Sequence, residues 1–334
     1  MEIHCYAAMK EKARLKEFTY EPMPLAPFDI DIEITHCGVC HSDIHLIDND
    51  WQLSEYPLVP GHEIVGTVTD VGVGVMAFEK GERVGVGWQS GACYHCDYCM
   101  RGDHNLCPDI KATCMGNYGG FADMIRTDSR FAFAIPEQIE SENAAPLLCG
   151  GITVYNPLRS FDVEPHMKVG VIGIGGLGHL ALQFARAFGC KVTAFSTSPD
   201  KEDEARNLGA HYFIPLTEKG ALEKAAGTLN FIISTVHVDM DWPAVLNVLK
   251  PKGKLCLVGA VANPLVIPAF SLILQQKSVV GSPIGGRMAM REMFQLAARH
   301  GIKAQTEAVP MTDVNTAVDR TRQGKARYRM VLKN

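Results

Sequence analysis

Lys168-Val169-Gly170-Val171-Ile172-Gly173-Ile174-Gly175-Gly176-Leu177-Gly178 runs an apolar, β-branched strand pattern straight into a glycine-rich turn, and Leu180 to Phe188 continues with helical spacing. A G-x-G-x-x-G pattern alone is a weak signal. Between a strand and a helix it is a strong one, because glycines let a pyrophosphate approach the backbone and the helix N-terminus supplies N–H groups. Downstream, Lys191–Phe195, His211–Ile214, Phe231–Ser234, Lys254–Val258 and Ser278–Gly281 read as strands, with helical stretches such as Asp200–Leu208 and Trp242–Leu249 between most of them. With the first strand this makes six, the number in a doubly wound, Rossmann-type dinucleotide domain of α/β class.

Outward from this block the pattern changes. Residues 1 to about 150 read as short strands, among them Ile30–Ile34, Glu63–Val71 and Arg83–Gly87, separated by glycine- and proline-rich turns. That suits a β-rich, barrel-like domain with irregular loops. The segment after Cys40 predicts one short helix with Ser42 and Asp43 in its first turn. After Gly286 come a helix at Met290–His300, a strand at Ala308–Pro310, a helix at Val314–Gln323 and a strand at Tyr328–Leu332.

At 334 residues the chain exceeds the size of a single core, so two domains are expected. Apolar residues make up 47% and charged residues 21%, as in ordinary globular proteins. A net charge of −5 leaves no basic footprint for nucleic acid or anionic lipid, so no nucleic-acid or membrane partner is expected. The N-terminus lacks a signal-peptide pattern and no apolar run spans a membrane, which makes a cytoplasmic location the expectation. Eleven cysteines, an odd number, argue against a disulfide framework and for metal binding.

Cys93-x-x-Cys96-x-x-Cys99, followed after seven residues by Cys107, is a strong structural-zinc signal. Two-residue spacings let four thiolates converge on a tetrahedron with no open position. Redox cysteines and an iron–sulfur site are the alternatives. His95 and His104 lie inside this lobe and read as surface residues.

Cys37-Gly-Val-Cys40-His41-Ser42-Asp43-Ile-His45 packs thiols, imidazoles, a hydroxyl and an acid into nine residues. It can be a zinc knuckle, a catalytic zinc ligand with proton-transfer groups, or a coincidence on a helix. A local knuckle would strain, because Cys40 and His41 are adjacent. Gly61-His62-Glu63 and Cys149 are further ligand-type residues flanked by glycine, and three scattered ligands with one open position is the composition of a catalytic zinc site.

These runs, with Val-Pro-Gly-His62-Glu63-Ile-Val-Gly and Pro-Leu-Leu-Cys149-Gly-Gly-Ile-Thr-Val-Tyr, resemble the zinc-dependent medium-chain alcohol dehydrogenases over nearly the whole chain. The nearest branch is that of cinnamyl alcohol dehydrogenases and bacterial aldehyde reductases. The resemblance implies a Rossmann domain at 151–286 inserted into a GroES-like catalytic domain formed by 1–150 and 287–334, with a cleft between them. It implies two zinc ions per chain. Cys40, His62 and Cys149 match the catalytic ligands, with water, substrate or Glu63 in the fourth place, and Cys93, Cys96, Cys99 and Cys107 match the structural set.

The resemblance also implies a proton path from Ser42, through the cofactor ribose, to His45 at its outer end, where an imidazole exchanges with water near neutral pH. Asp43 matches the acid that orients His62, and His41 a basic position near the cofactor pyrophosphate. Where an NAD site places an acid after the second strand, Phe195 is followed by Ser196, Thr197 and Ser198, with Lys201 nearby. That favours NADP(H). Asp200 reads as a first-turn acid behind a Ser198 N-cap. Gly173, Gly175, Gly176, Leu177 and Gly178 match the pyrophosphate turn, while Thr153, Thr235, Gly259, Ser282 and Ile284 match positions near the nicotinamide. Trp51 and Trp88 are candidate walls of an aromatic-accepting pocket, or core residues. Between Cys107 and Gly119 the chain is shorter than many relatives.

The leading expectation is thus an NADPH-preferring, zinc-dependent oxidoreductase reducing small-molecule aldehydes, and the resemblance implies a homodimer paired through the sheet edge around Ser278–Gly281. An NAD-dependent polyol or formaldehyde dehydrogenase, and a non-catalytic zinc-stabilised NADPH-binding protein, are the rival readings. Metal content of about two zinc per chain favours an enzyme, one the binding protein.

Overall fold

A computed structural model describes all of residues 1–334, which divide into two compact units: Met1–Ile152 with Gly285–Asn334, and Thr153–Ile284.

In the first unit the central strand is Asp29–Val39, longer than the alternating stretch Ile30–Ile34 suggests. Bulges between Asp31 and Ile32 and between Ile34 and His36 let it bend while staying paired to Ile64–Val71. Asp31 breaks the expected alternation by being buried, and the guanidinium of Arg126 meets it at 2.7 Å through both Nε and Nη2. On its other side the strand pairs antiparallel with the terminal strand Arg329–Lys333, Met330 opposite Val39. The C-terminal segment therefore completes a seven-stranded sheet begun near the N-terminus.

Asp29–Val39 delivers the chain to Cys40, which starts the helix His41–Asp48. The Cys40 N–H donates to Asp43 Oδ2 at 2.9 Å, a carboxylate capping the helix start as its dipole favours. Ile44, Leu46 and Ile47 turn inward, leaving His41 exposed and Ser42 and His45 partly so.

The second unit is a six-stranded, wholly parallel sheet. Its order is Tyr212–Pro215, Lys191–Ser196, Lys168–Ile172, Leu229–Ser234, Leu249–Leu257, Ser278–Gly281. The order reverses at Lys168–Ile172, so the glycine turn lies at the switch point where such sheets bind ligands. Gly173 has φ +86°, open to glycine and strained for other residues. A Cβ at Gly178 would collide with the Gly173 carbonyl, so the helix Gly178–Ala187 can seat this close only with glycine there.

The helix expected from Asp200 begins as a 3-10 turn at Pro199–Lys201 and becomes α-helical only from Glu202 to Asn207. Ser198 occupies the cap position of that turn without a side-chain cap bond. Its own N–H donates to Ser196 Oγ at 3.1 Å.

Candidate functional site

Two clusters of metal-ligating side chains stand in the first unit. Cys93, Cys96, Cys99 and Cys107 bring their ligand atoms within 4.8 Å of one another. The backbone turns inward around them: Cys93 N–H points at Cys107 Sγ (3.4 Å), Cys96 N–H at Cys93 Sγ (3.3 Å) and Cys99 N–H at Cys96 Sγ (3.5 Å). Hydrogen bonds from the backbone at His95 and Cys96 pull the Cys93 thiol down to about 6, toward the thiolate that binds metal. His95 is exposed as expected. His104 is not a surface residue: it is buried, its Nδ1 on the Gly102 carbonyl (3.0 Å) and its ring edge-on to Phe131.

The second cluster is Cys40, His62, Glu63 and Cys149, four buried residues from separate parts of the chain with ligand atoms within 4.8 Å of one another. The two thiols are 3.9 Å apart and share a proton, the hydrogen bond from Cys149 drawing Cys40 well below the usual thiol range while Cys149 is held well above it. His62 Nδ1 lies 2.9 Å from Asp43 Oδ1, and Gly61 N–H donates to that same oxygen at 2.9 Å. Burial disfavours a charged His62, but the Asp43 carboxylate outweighs it and raises the imidazole well above its ordinary value. His62 Nε2 and Glu63 Oε2 are buried without any hydrogen-bond partner.

Orphaned buried acceptors are costly. Here they belong to the four side chains that converge, so the donor set fits a metal cation filling the space between them. Two thiolates, an imidazole and a carboxylate are a zinc donor set. Burial pushes Glu63 up to about 7 against the pull of Arg329, which forms a buried ion pair with its Oε1. Gly38 makes room for this pair, since a Cβ there would run into the Glu63 carboxylate. Arg329 carried no signal in the sequence, because its partner is 266 residues away.

Around the cluster the aromatic residues form a chain. Trp88 stands edge-on to His62 (centroids 4.8 Å, 85°), Trp51 edge-on to Trp88 (6.2 Å), and His45 lies against Trp51 (5.1 Å). Both tryptophans are half-buried and pack against the hydrophobic core of the first unit. His45 Nδ1 meets Asp50 Oδ2 at 2.7 Å, a partner the sequence reading missed although it is only five residues on, past the left-handed Asn49 that ends the helix. Cys114, fully buried, also comes within 4.8 Å of the Asp43–His62 pair.

In the second unit the space above Gly175 is open: a Cβ there would meet nothing within 4 Å. Lys201 reaches back over the turn, its Nζ 2.6 Å from the Ile174 carbonyl. Ser196 ends its strand buried, Thr197 is exposed and no acid stands at that strand end. The Thr235 hydroxyl reaches the carbonyls of Ile172 (3.0 Å) and Gly173 (2.9 Å), bracing the turn. Gly259 packs against the Val236 carbonyl. Asn156 Nδ2 donates to Ser282 Oγ and to the Ile284 carbonyl, each at 3.2 Å, while Thr153 is buried on the helix Gly150–Ser160.

Residues 26–137 match the alcohol dehydrogenase GroES-like domain and residues 176–299 the zinc-binding dehydrogenase family. The chain is 44% identical over 330 residues to aldehyde reductase AdhA of Synechocystis, covering 99% of this chain and 98% of that protein. A cinnamyl alcohol dehydrogenase structure from Sorghum bicolor superposes with a TM-score of 0.95 at 39% identity, covering 100% of this chain and 98% of that one. The CAD of Helicobacter pylori, complexed with NADP(H), gives 0.91 at 32% identity with coverage of 100% and 98%.

Proposed function

The chain belongs to the zinc-dependent medium-chain alcohol dehydrogenases, and on that premise we propose that it reduces aldehydes to primary alcohols with NADPH, using Cys40, His62 and Cys149 to hold a catalytic zinc. The observation that carries this reading is the convergence of four buried donors, two of them orphaned, at one point beside two half-buried tryptophans. The thiols at Cys93, Cys96, Cys99 and Cys107 would close a second, structural site with no place for substrate.

Zinc at the first site supplies a Lewis acid for the carbonyl oxygen, where hydride transfer builds negative charge. Asp43 fixes the His62 tautomer by accepting from Nδ1, which leaves Nε2 to the metal. Glu63 offers a fourth donor and is restrained by Arg329. Ser42 Oγ, in the first turn of its helix, delivers the proton that completes the alcohol. His45, steadied by Asp50, replaces it from solvent. Trp51 and Trp88 give the pocket an aromatic wall.

The NADPH preference rests on Ser196, Thr197, Ser198 and Lys201, which present hydroxyls and a cation where an acid would repel a 2′-phosphate. The turn from Gly173 to Gly178 receives the pyrophosphate. We place the boundaries of the nucleotide-binding domain near 151 and 286. The protein works as a homodimer: Ser278–Gly281 is an unpaired sheet edge, and Val266, Phe270, Ile273 and Leu274 in the same unit are 65–77% exposed. A cytoplasmic location accords with eleven free thiols.

The test is a panel of aliphatic and aromatic aldehydes assayed with NADPH and NADH. Reduction of aromatic aldehydes with a clear NADPH preference is expected. Binding of NADPH without turnover of any aldehyde or polyol would favour a non-catalytic protein.

A further inference from the structure

The short loop between Cys107 and Gly119 passes directly behind the aromatic wall. Its strand Lys111–Ala112 pairs with Gln89–Gly91, and Thr113 extends the ladder by donating its N–H to the Trp88 carbonyl at 2.8 Å. The Thr113 side chain adds a second tie. Thr113 is 1% exposed, and its hydroxyl donates to the Gly87 carbonyl at 2.5 Å and lies 3.1 Å from the Trp88 carbonyl.

Gly87 is itself wedged: a Cβ there would meet the Leu148 carbonyl at 2.6 Å, one residue before Cys149. The Gly87–Trp88 peptide thus sits between two candidate zinc ligands, touching His62 through the indole and the Cys149 segment through the backbone. The next residue of the loop, Cys114, is fully buried beside the Asp43–His62 pair. The hydroxyl thus adds to the Thr113 N–H in fixing the backbone that carries Trp88.

We propose that Thr113 is a specificity-determining positioning residue: through its hydroxyl on Gly87 and Trp88, the shortened loop sets the angle of the Trp88 wall and hence the preference for aromatic over small aliphatic aldehydes. The inference rests on the reading of Trp88 as a pocket wall. A backbone freed at Gly87 lets the indole rock between His62 and Trp51. Flat aromatic substrates then lose a stacking surface, while small aldehydes that never reach it do not.

The experiment compares kcat and KM for benzaldehyde and butanal in the zinc-loaded parent and in Thr113→Val, Thr113→Ser and Trp88→Ala. Thr113→Val keeps the shape and the backbone hydrogen bond but lacks the hydroxyl. Its benzaldehyde-to-butanal ratio of kcat/KM should fall roughly 10-fold, mainly through KM, as for a lost pocket contact. Thr113→Ser should restore the ratio. Because both substrates are measured on one sample, a loss of folded protein cancels. If Thr113→Val does not accumulate, Thr113→Cys, with its weaker donor, is read in the same way.

Trp88→Ala separates the two levels of the argument. A changed ratio in Trp88→Ala with an unchanged ratio in Thr113→Val overturns the role of Thr113 alone. An unchanged ratio in Trp88→Ala overturns the wall, and with it the inference.

Discussion

Asp43 Oδ1 and His62 Nδ1 lie 2.9 Å apart, both side chains fully buried, and every oxygen of that carboxylate is engaged by the segments it joins. Cys40 N–H, Gly61 N–H and the imidazole all converge on it, so one acid orients two candidate zinc ligands. Asp43→Asn keeps the volume but sets an amide among three donors. Zinc affinity should drop about 10- to 100-fold, the usual cost of losing such a partner. Competition with a chromophoric chelator measures it; affinity equal to the parent would show that Asp43 serves only the fold.

The cysteine lobe makes a different prediction. Backbone N–H groups point at three of its four sulfurs, those of Cys93, Cys96 and Cys107, and four thiols leave no open position, so its metal contributes folding energy rather than chemistry. Cys99→Ser should lose about one zinc per chain and lower the unfolding temperature by about 5 °C or more. The molecules still folded should keep their turnover per catalytic zinc.

Cofactor choice is tested in the second unit. Lys201 is held over the glycine turn by the Ile174 carbonyl, placing a cation near the end of Lys191–Ser196. Lys201→Ala should weaken NADPH by roughly 10-fold while changing NADH little, since about 1.4 kcal/mol is a modest share of a charge-assisted contact. Ser196→Asp should go further, toward NADH, through repulsion of the 2′-phosphate. Fluorescence titration of both cofactors reads the two variants, and parallel loss of NADH and NADPH would instead mean a damaged turn.

The proton path is tested by graded variants. Ser42→Ala leaves the ligand set intact and should lower kcat by roughly 100-fold with NADPH affinity nearly unchanged. His45→Gln should be milder, because water substitutes at the outer end. Asp50→Asn, which loosens His45, should follow His45→Gln in kind and be smaller in size. Full kcat in Ser42→Ala would place the proton donor elsewhere.

What the sequence reveals and what it withholds follow one physical line. The glycine turn is legible because its demand is local: Gly173 must take a positive φ and Gly178 must clear a carbonyl within five residues. The four-thiol lobe is legible for the same reason. Cys40, His62 and Cys149 are visible as ligand types, the last two beside glycines, yet their meeting depends on the sheet bringing three loops together. Arg329, Thr113 and Cys114 show nothing locally. They reach the site only because Arg329–Lys333 closes on Asp29–Val39 and because Lys111–Ala112 zips onto Gln89–Gly91. His104, read as a surface residue, is buried against the Gly102 carbonyl and the Phe131 ring, and Asp31 is buried because Arg126, 95 residues on, pairs with it.

The most direct test of the central claim is zinc content and NADPH-dependent aldehyde reduction measured on the same preparations of the parent protein and Cys149→Ser. The account predicts about two zinc per parent chain and about one in the variant, with an unchanged unfolding profile and reduction abolished. Cys149→Ser that turns over aldehydes at the parental rate, or a parent that is active with only one zinc, would contradict it.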